Sequence, residues 1–231
     1  MSGFFSFARL IQVFERYHKF FFDGLKTTLY ISFFAVLMGT LLGLLFAFGK
    51  MSRLRVVKGI CSLYIDIVRA TPLLVQVMII YYGTLSMGWK LQPTELNAFF
   101  WGMIAVGMNS GAYMSEVIRG GIGAVDAGQM EAARSIGMSK GKAMRYVVLP
   151  QAVRNILPAV ANEFVTVIKE TSVLGMCGIH EIMFRSGDVA SIGYVYVETY
   201  VIAACMYFIL VFPVSKLVAM LERRMNKSVT R

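Results

Sequence analysis

The sequence predicts an all-α integral membrane protein with about five transmembrane helices. Hydrophobic residues make up 57% of its 231 residues and charged residues only 16%. Soluble domains run at about 45–50% apolar and about 25% charged. Residues 27–49 carry no charge over a length sufficient to cross a bilayer. Residues 98–115 and 199–215 are also uncharged and nearly as long.

The elements follow in order. Residues 1–23 form an N-terminal segment with Phe4, Phe5, Phe7, Leu10, Ile11, Phe14, Tyr17, Phe20 and Phe21 mostly at helical spacing. Arg9, Arg16, Lys19 and Lys26 lie among and just after them. This pattern predicts an amphipathic helix lying in the membrane interface. It lacks a short apolar core followed by a small-residue cleavage site, so no cleavable signal peptide is expected. Residues 24–217 form a single transmembrane domain, with spans at about 24–49, 59–84, 97–118, 151–176 and 193–217. Residues 59–89 are too short for two crossings, so they form one span, kinked at Pro72. The span at 151–176 is the most polar, with Arg154, Glu163, Lys169 and Glu170. A span of that kind faces protein or a cavity rather than lipid. Residues 218–231 are a basic tail.

The formal net charge is +10. Its distribution argues for membrane orientation rather than nucleic-acid binding. Lys50, Arg53, Arg55 and Lys58 cluster in one loop, and Arg119, Arg134, Lys140, Lys142 and Arg145 in the loop at 119–150. Lys216, Arg223, Arg224, Lys227 and Arg231 close the chain. The opposite side carries only Lys90 and Arg185 between spans. Basic loops stay cytoplasmic, so the N-terminus is expected outside and the C-terminus inside. Cys61, Cys177 and Cys205 form no CxxC motif and read as inert thiols. His18 and His180 are too far apart in sequence to suggest a metal site.

The loop at 119–150 reads as two short helices. Asp126 followed by Gln129 resembles a capping box, Gly137 stands where a left-handed stop belongs, and Ser139 caps a second helix that ends before Pro150. Glu131, Ala132 and Ala133 give the first helix a slim face with one charge.

Polar residues recur inside the spans. Glu163 falls near mid-depth of its span at about 1.5 Å rise per residue. A charge there costs roughly 2.5–3.5 kcal/mol on insertion scales. Asn155, Asn162, Thr166 and Lys169 or Glu170 extend the stripe, and Asn109, Tyr113 and Glu116 share one face of the third span. Asp66 and Arg69 are one turn apart and read as a structural pair, as do Glu116 and Arg119. For Glu163, contact with a cationic group of a substrate is preferred to a structural ion pair. Asn162 and Thr166 cannot neutralise it, and no basic residue lies one turn away on its own helix.

Glu131-Ala132-Ala133, Gly137 and Leu149-Pro150 together resemble the EAA loop of ATP-binding-cassette (ABC) importer permeases. VRATPLLVQ at 68–76, NSGAYMSEVIRGGI at 109–122, and QAVRNILPAV, NEF and KETSVL after the loop are similar to the polar amino-acid branch, the histidine, glutamine and arginine uptake type. The resemblance runs from about residue 24 to the end. It implies that 119–150 is a cytoplasmic coupling-helix loop, with Glu131, Ala132, Ala133 and Gly137 meeting an ATPase. The polar residues Glu163, Asn162, Thr166, Asn109 and Tyr113 are expected, from their depth and shared faces, to line a substrate path. Two ATPase subunits, a second permease copy or paralogue, and an extracytoplasmic amino-acid-binding protein follow from the resemblance, in a bacterial-type cytoplasmic (inner) membrane. This chain has no GxxxxGK[ST] motif, since Gly141-Lys142 is followed by Ala143. ATP and Mg are therefore expected on the partner, with no cofactor on this chain. Two other classes compete. One is a small ion-coupled transporter or channel subunit with Glu163 and Glu170 as relays; an odd number of spans gives it no even inverted repeat. The other is a membrane enzyme, for which no nucleophile–base pair or metal cluster is evident.

Overall fold

The first helix, α1 (Phe7–Lys50), is the spine of the molecule. At about 1.5 Å per residue its 44 residues extend roughly 66 Å, about twice the hydrocarbon thickness. Its buried residues, Phe21, Gly24, Thr28, Ile31, Ala35, Gly39, Gly43 and Ala47, recur every three or four positions. That single stripe meets α4 along its length and touches α2, α7, α8 and α9. The computed structural model describes residues 6–89, 91–92 and 94–226. Phe4, Phe5, Lys90, Lys227 and Arg231, used above, lie outside the described residues.

The N-terminal segment is not the separate interfacial element expected from its sequence. No proline interrupts it, and it runs unbroken into the first span. Val13 and Phe21 are buried among Ile182, Val189, Ile202, Ala203 and Met206. Arg9 lies 3.4 Å from the Glu198 carboxylate, which offsets one of the charges that the interfacial reading had to explain.

Helices α2 (Arg55–Ala70) and α3 (Leu73–Ser86) meet at a 109° bend. Thr71 is extended (ψ 143°), as residues before proline prefer, and Pro72 supplies no amide to continue α2. The Gln76 side chain satisfies the break by donating to the carbonyls of Val68 (2.7 Å) and Thr71 (3.0 Å). Its carbonyl oxygen accepts from Asn109 Nδ2 at 3.0 Å. The bend is thereby tied to α4 (Thr94–Gly123).

After α4 the chain forms α5 (Ala127–Ser135) and turns at Gly137 into α6 (Lys140–Ala143). The second loop helix does not end before Pro150. A π-helical turn, Met144–Val148, carries α6 directly into α7 (Leu149–Glu170). The wider π turn and the place of Pro150 in the first turn of α7, where its missing amide is tolerated, remove the expected stop. A 3₁₀ turn (Thr171–Cys177) follows, then α8 (Ile182–Gly193) and α9 (Tyr196–Asn226). At 12 residues α8 is too short to cross. It packs on α1 and α9 in a stretch expected to be an inter-span connection. Among the described residues two helices, α1 and α9, are long and apolar enough to span, and the α2–α3 pair, bent by 109°, adds a third if it counts as one broken span rather than a re-entrant loop. Helices α4 and α7 have the length but carry the polar residues.

The α1–α4 seam is built on small residues. A Cβ on Gly39 would lie 2.7 Å from Ser110 Oγ and 2.8 Å from Ser110 Cβ. One on Gly111 would lie 2.9 Å from Leu42 Cβ. Such contacts let helix backbones approach closely in a membrane protein. Gly39→Val is therefore expected to force α4 outward at Ser110, costing about 1–3 kcal/mol of overpacking. Gly59→Ala, with nothing within 4 Å of the added carbon, is the control and should melt no lower than the parent, because alanine favours the α2 interior over glycine. Thermal unfolding of the two variants in detergent checks this, and equal melting temperatures would contradict the seam.

Candidate functional site

Helix α7 carries Glu163 with its side chain toward α4. Its Oε1 accepts a hydrogen bond from Ser110 Oγ at 2.9 Å. Asn109, the residue before Ser110, is buried and bonded to Gln76. One turn further along α4, Tyr113 is 39% exposed and lies beneath the Arg69 guanidinium, 5.7 Å from the ring centroid. Around this part of α4 three contacts lie close in sequence: Ser110 with Glu163 of α7, Asn109 with Gln76 of α3, and Tyr113 with Arg69 of α2.

Two expectations are corrected here. Asp66 and Arg69 do not form an ion pair; both are exposed on α2. Arg69 stands in the last turn of α2, beside the Thr71–Pro72 break, and its charge lies over the Tyr113 ring instead. The polar stripe of α7 also divides. Asn162 is exposed in a groove with Arg154, Asn155, Pro158 and Glu222, away from the α4 side where Glu163 bonds. Thr166 donates to the Asn162 carbonyl at 3.3 Å. Adjacent residues on a helix diverge by about 100°, so Asn162 and Glu163 serve different surfaces.

Lys50, at the end of α1, reaches Glu116 on α4 at 2.7 Å, and Arg119 holds the other carboxylate oxygen at 2.7 Å. This three-residue cluster clasps the α1–α4 seam at the end next to the α4–α5 loop.

Within that loop the Asp126 side chain accepts from the Gly128 amide at 2.7 Å and caps α5. The reciprocal half of the capping box is absent. Gln129 instead accepts from Gln151 on α7 at 3.3 Å, because α7 passes alongside. Gly137 has φ +88°, the left-handed conformation used at helix stops. Ser139 accepts from the Lys142 amide at 3.4 Å. Glu131 and Ala132 are exposed, but Ala133 is buried (5% exposed), so the slim face presents one alanine rather than two. Ile136, which nothing in the local sequence pattern singled out, is 80% exposed at the turn. The loop therefore offers an apolar tip beside a carboxylate and Arg134.

Glu181 was not foreseen. It is fully buried, and its oxygens accept from the Met183 and Phe184 amides (2.7 Å each) and from Tyr207 Oη (2.9 Å). The Ile182 amide donates to Thr28 Oγ1 at 3.3 Å. One carboxylate caps α8 and ties it to α9 beside α1. An acid just ahead of an apolar stretch is a recognisable cap signal; the 26-residue separation from Tyr207 hides the rest.

The profile of a family described as "Binding-protein-dependent transport system inner membrane component" matches residues 39–227. A Rickettsia conorii protein, provisionally named glutamine transport system permease protein GlnP, is 41% identical over 212 residues, covering 90% of this chain and 95% of its own. The arginine transport system permease protein ArtQ of Bacillus subtilis is 35% identical over 206 residues, covering 89% and 92%. A chain from the crystal structure of an amino acid ABC transporter with histidines superposes with a TM-score of 0.88 at 41% identity. That match covers 96% of this chain and all of the other.

Removing the Glu181 carboxylate strands two amides and a tyrosine hydroxyl, each of which costs about 1–3 kcal/mol when left unsatisfied in the interior. Glu181→Leu is expected to lower the melting temperature sharply, and Glu181→Gln, which keeps one acceptor, to lower it less. Equal stability of both variants and the parent would show that the α8 cap contributes nothing.

Proposed function

The chain belongs to the family of binding-protein-dependent transport system inner membrane components and is a permease subunit of an amino-acid ABC importer; we propose that its substrate path runs between α4 and α7 and that Glu163 meets the cationic part of the amino acid. One observation carries this. The Glu163 carboxylate takes a hydrogen bond from the neutral Ser110 hydroxyl and forms no ion pair with a lysine or arginine among the described residues. A carboxylate so deep in a span calls for a positive partner. The substrate's ammonium or basic side chain supplies it. Arg69, in the last turn of α2 and lying over Tyr113, which is one turn along α4 from Ser110, offers the opposite charge for a substrate carboxylate. Asn109 and Gln76 hold the α2–α3 bend against this site. Asn162 lies on another face of α7, in the groove with Asn155 and Glu222, and Thr166 bonds to its carbonyl. Family membership sets aside the ion-coupled alternative, in which Glu163 and Glu170 act as proton relays.

A transport subunit of this kind is not itself catalytic. ATP hydrolysis is assigned to a separate ATPase that carries ATP and Mg, docked on the α5–Gly137–α6 hairpin. Glu131, Ala132 and Ile136 are the exposed groups available to it. Two ATPases, a second permease copy or paralogue, and an extracytoplasmic amino-acid-binding protein complete the assembly. The basic loops support a topology in which the hairpin and the C-terminus face the cytoplasm across a bacterial inner membrane.

Glu163→Gln retains shape and removes charge. Uptake of arginine or lysine in the reconstituted transporter is expected to fall about tenfold or more, equivalent to about 1.4 kcal/mol. Glutamine uptake should fall less, with the melting temperature unchanged. Equal losses for all substrates with a lower melting temperature would assign Glu163 to structure instead.

Gly137→Val places a β-branched side chain at positive φ and deforms the hairpin. Substrate-stimulated ATP hydrolysis is expected to drop while membrane insertion persists. Unchanged coupling would remove the hairpin from the ATPase contact.

A further inference from the structure

Helix α2 presents three chemically distinct sectors. Cys61, Ile65 and Val68 are buried against the bundle. Val56, Ile60, Leu63 and Ile67, at steps of four, three and four, form an exposed apolar stripe on one flank. Arg55, Lys58, Asp66 and Arg69 are exposed on the other flank. The first flank suits hydrocarbon, and the second requires water or a polar partner.

Depth makes the charged flank informative. Ser110 of α4 packs against Gly39, near the middle of the uncharged stretch 27–49. Gln76 ties the end of α2 to Asn109, the residue before Ser110. The Asp66–Arg69 turn ends at this break, so it lies at the level of the hydrocarbon rather than among headgroups. Charges at that depth face a space that admits water or a polar ligand. Asp66 forms no ion pair among the described residues, with Arg69 or any other cation. Arg69 lies over the Tyr113 ring, 5.7 Å from its centroid. A guanidinium held over a ring keeps the N–H donors of its edge for a carboxylate.

An aspartate and an arginine one turn apart, both exposed and not paired with each other, match the head of a free amino acid, where ammonium and carboxylate share one carbon. Side chains three apart on a helix start about 5–6 Å from each other, close enough for both to reach one such head. The planar fork of Arg69 suits the carboxylate, and Asp66 suits the ammonium. Tyr113, beneath Arg69, is likewise three residues from Ser110, the donor to Glu163. That step of about 5–6 Å is one that an extended lysine or arginine side chain covers. We propose that Asp66 and Arg69 clamp the α-ammonium and α-carboxylate of the substrate and that Glu163 takes its side chain, so that the path selects amino acids with basic side chains. The proposal rests on the reading of Glu163 as a substrate contact. It gives Asp66 a contact common to all α-amino acids and leaves discrimination among them to Glu163.

The test uses the assembled transporter in nanodiscs without its binding protein, with each ligand radiolabelled in equilibrium dialysis. The ligands are L-arginine, L-glutamine, agmatine, which lacks the carboxylate, and 5-guanidinopentanoate, which lacks the α-ammonium. Asp66→Asn should weaken L-arginine and L-glutamine about tenfold or more, leave 5-guanidinopentanoate unchanged and keep the parent's melting temperature. Arg69→Gln should weaken the same two amino acids and leave agmatine unchanged. Glu163→Gln should weaken L-arginine, agmatine and 5-guanidinopentanoate and spare L-glutamine. Asp66→Asn binding every ligand as the parent does, or weakening 5-guanidinopentanoate as much as L-arginine, overturns the clamp. A lower melting temperature with dissociation of the permease pair also overturns it, because Asp66 would then serve an ion pair with a second copy. If Asp66→Asn and Arg69→Gln act as expected while Glu163→Gln weakens no ligand, the clamp stands and the reading of Glu163 fails.

Discussion

The structure depends on how closely α1 and α4 approach. Glycines on both helices, Gly39 and Gly43 on one and Gly107 and Gly111 on the other, bring the two backbones together where any larger residue would hold them apart. That approach fixes the position of Ser110, and Ser110 is the hydrogen-bond donor to Glu163 on α7. A seam made by the absence of side chains therefore sets the place of the deepest carboxylate on α7. The Lys50–Glu116–Arg119 cluster closes the same seam at its loop end, where charges can be partly hydrated.

At two breaks in the helices a side chain satisfies the irregular backbone. The α2–α3 break exposes carbonyls that lipid could not solvate, and Gln76 covers two of them before passing its own oxygen to Asn109. The start of α8 would leave amides unsatisfied in a buried setting, and Glu181 accepts them. Both repairs join different helices. A bend that relieves one strain thereby becomes a contact that transmits position, from the α2–α3 elbow to α4 and from α8 to α9. This places Arg69, at the elbow, within reach of Tyr113.

The hairpin is joined to α7, the helix that carries Glu163, without a flexible linker. Helix α6 passes through a π turn into α7, so displacement of the Gly137 turn acts on the same continuous rod that carries Glu163. Gln129 and Gln151 brace α5 against that rod. An ordinary loop ending at Pro150 would have lost this stiffness between the hairpin and α7.

The sequence by itself determined the all-helical membrane class, the polar hairpin between apolar segments, the break at Pro72 and the left-handed turn at Gly137. These are local: each follows from composition, from proline's missing amide or from a conformation open to glycine. Only the tertiary structure decided what depends on residues far apart in the chain. Ser110 and Glu163 are 53 positions apart; Tyr113 draws Arg69 away from the nearby Asp66; Ala133 turns inward against the hairpin. The N-terminal segment looked interfacial because its apolar stripe and its charges were visible, while the faces of α8 and α9 that cover that stripe lie more than 150 residues further on. A side chain's partner is set by which helix faces meet, and that is settled by close packing across the bundle rather than by spacing along the chain.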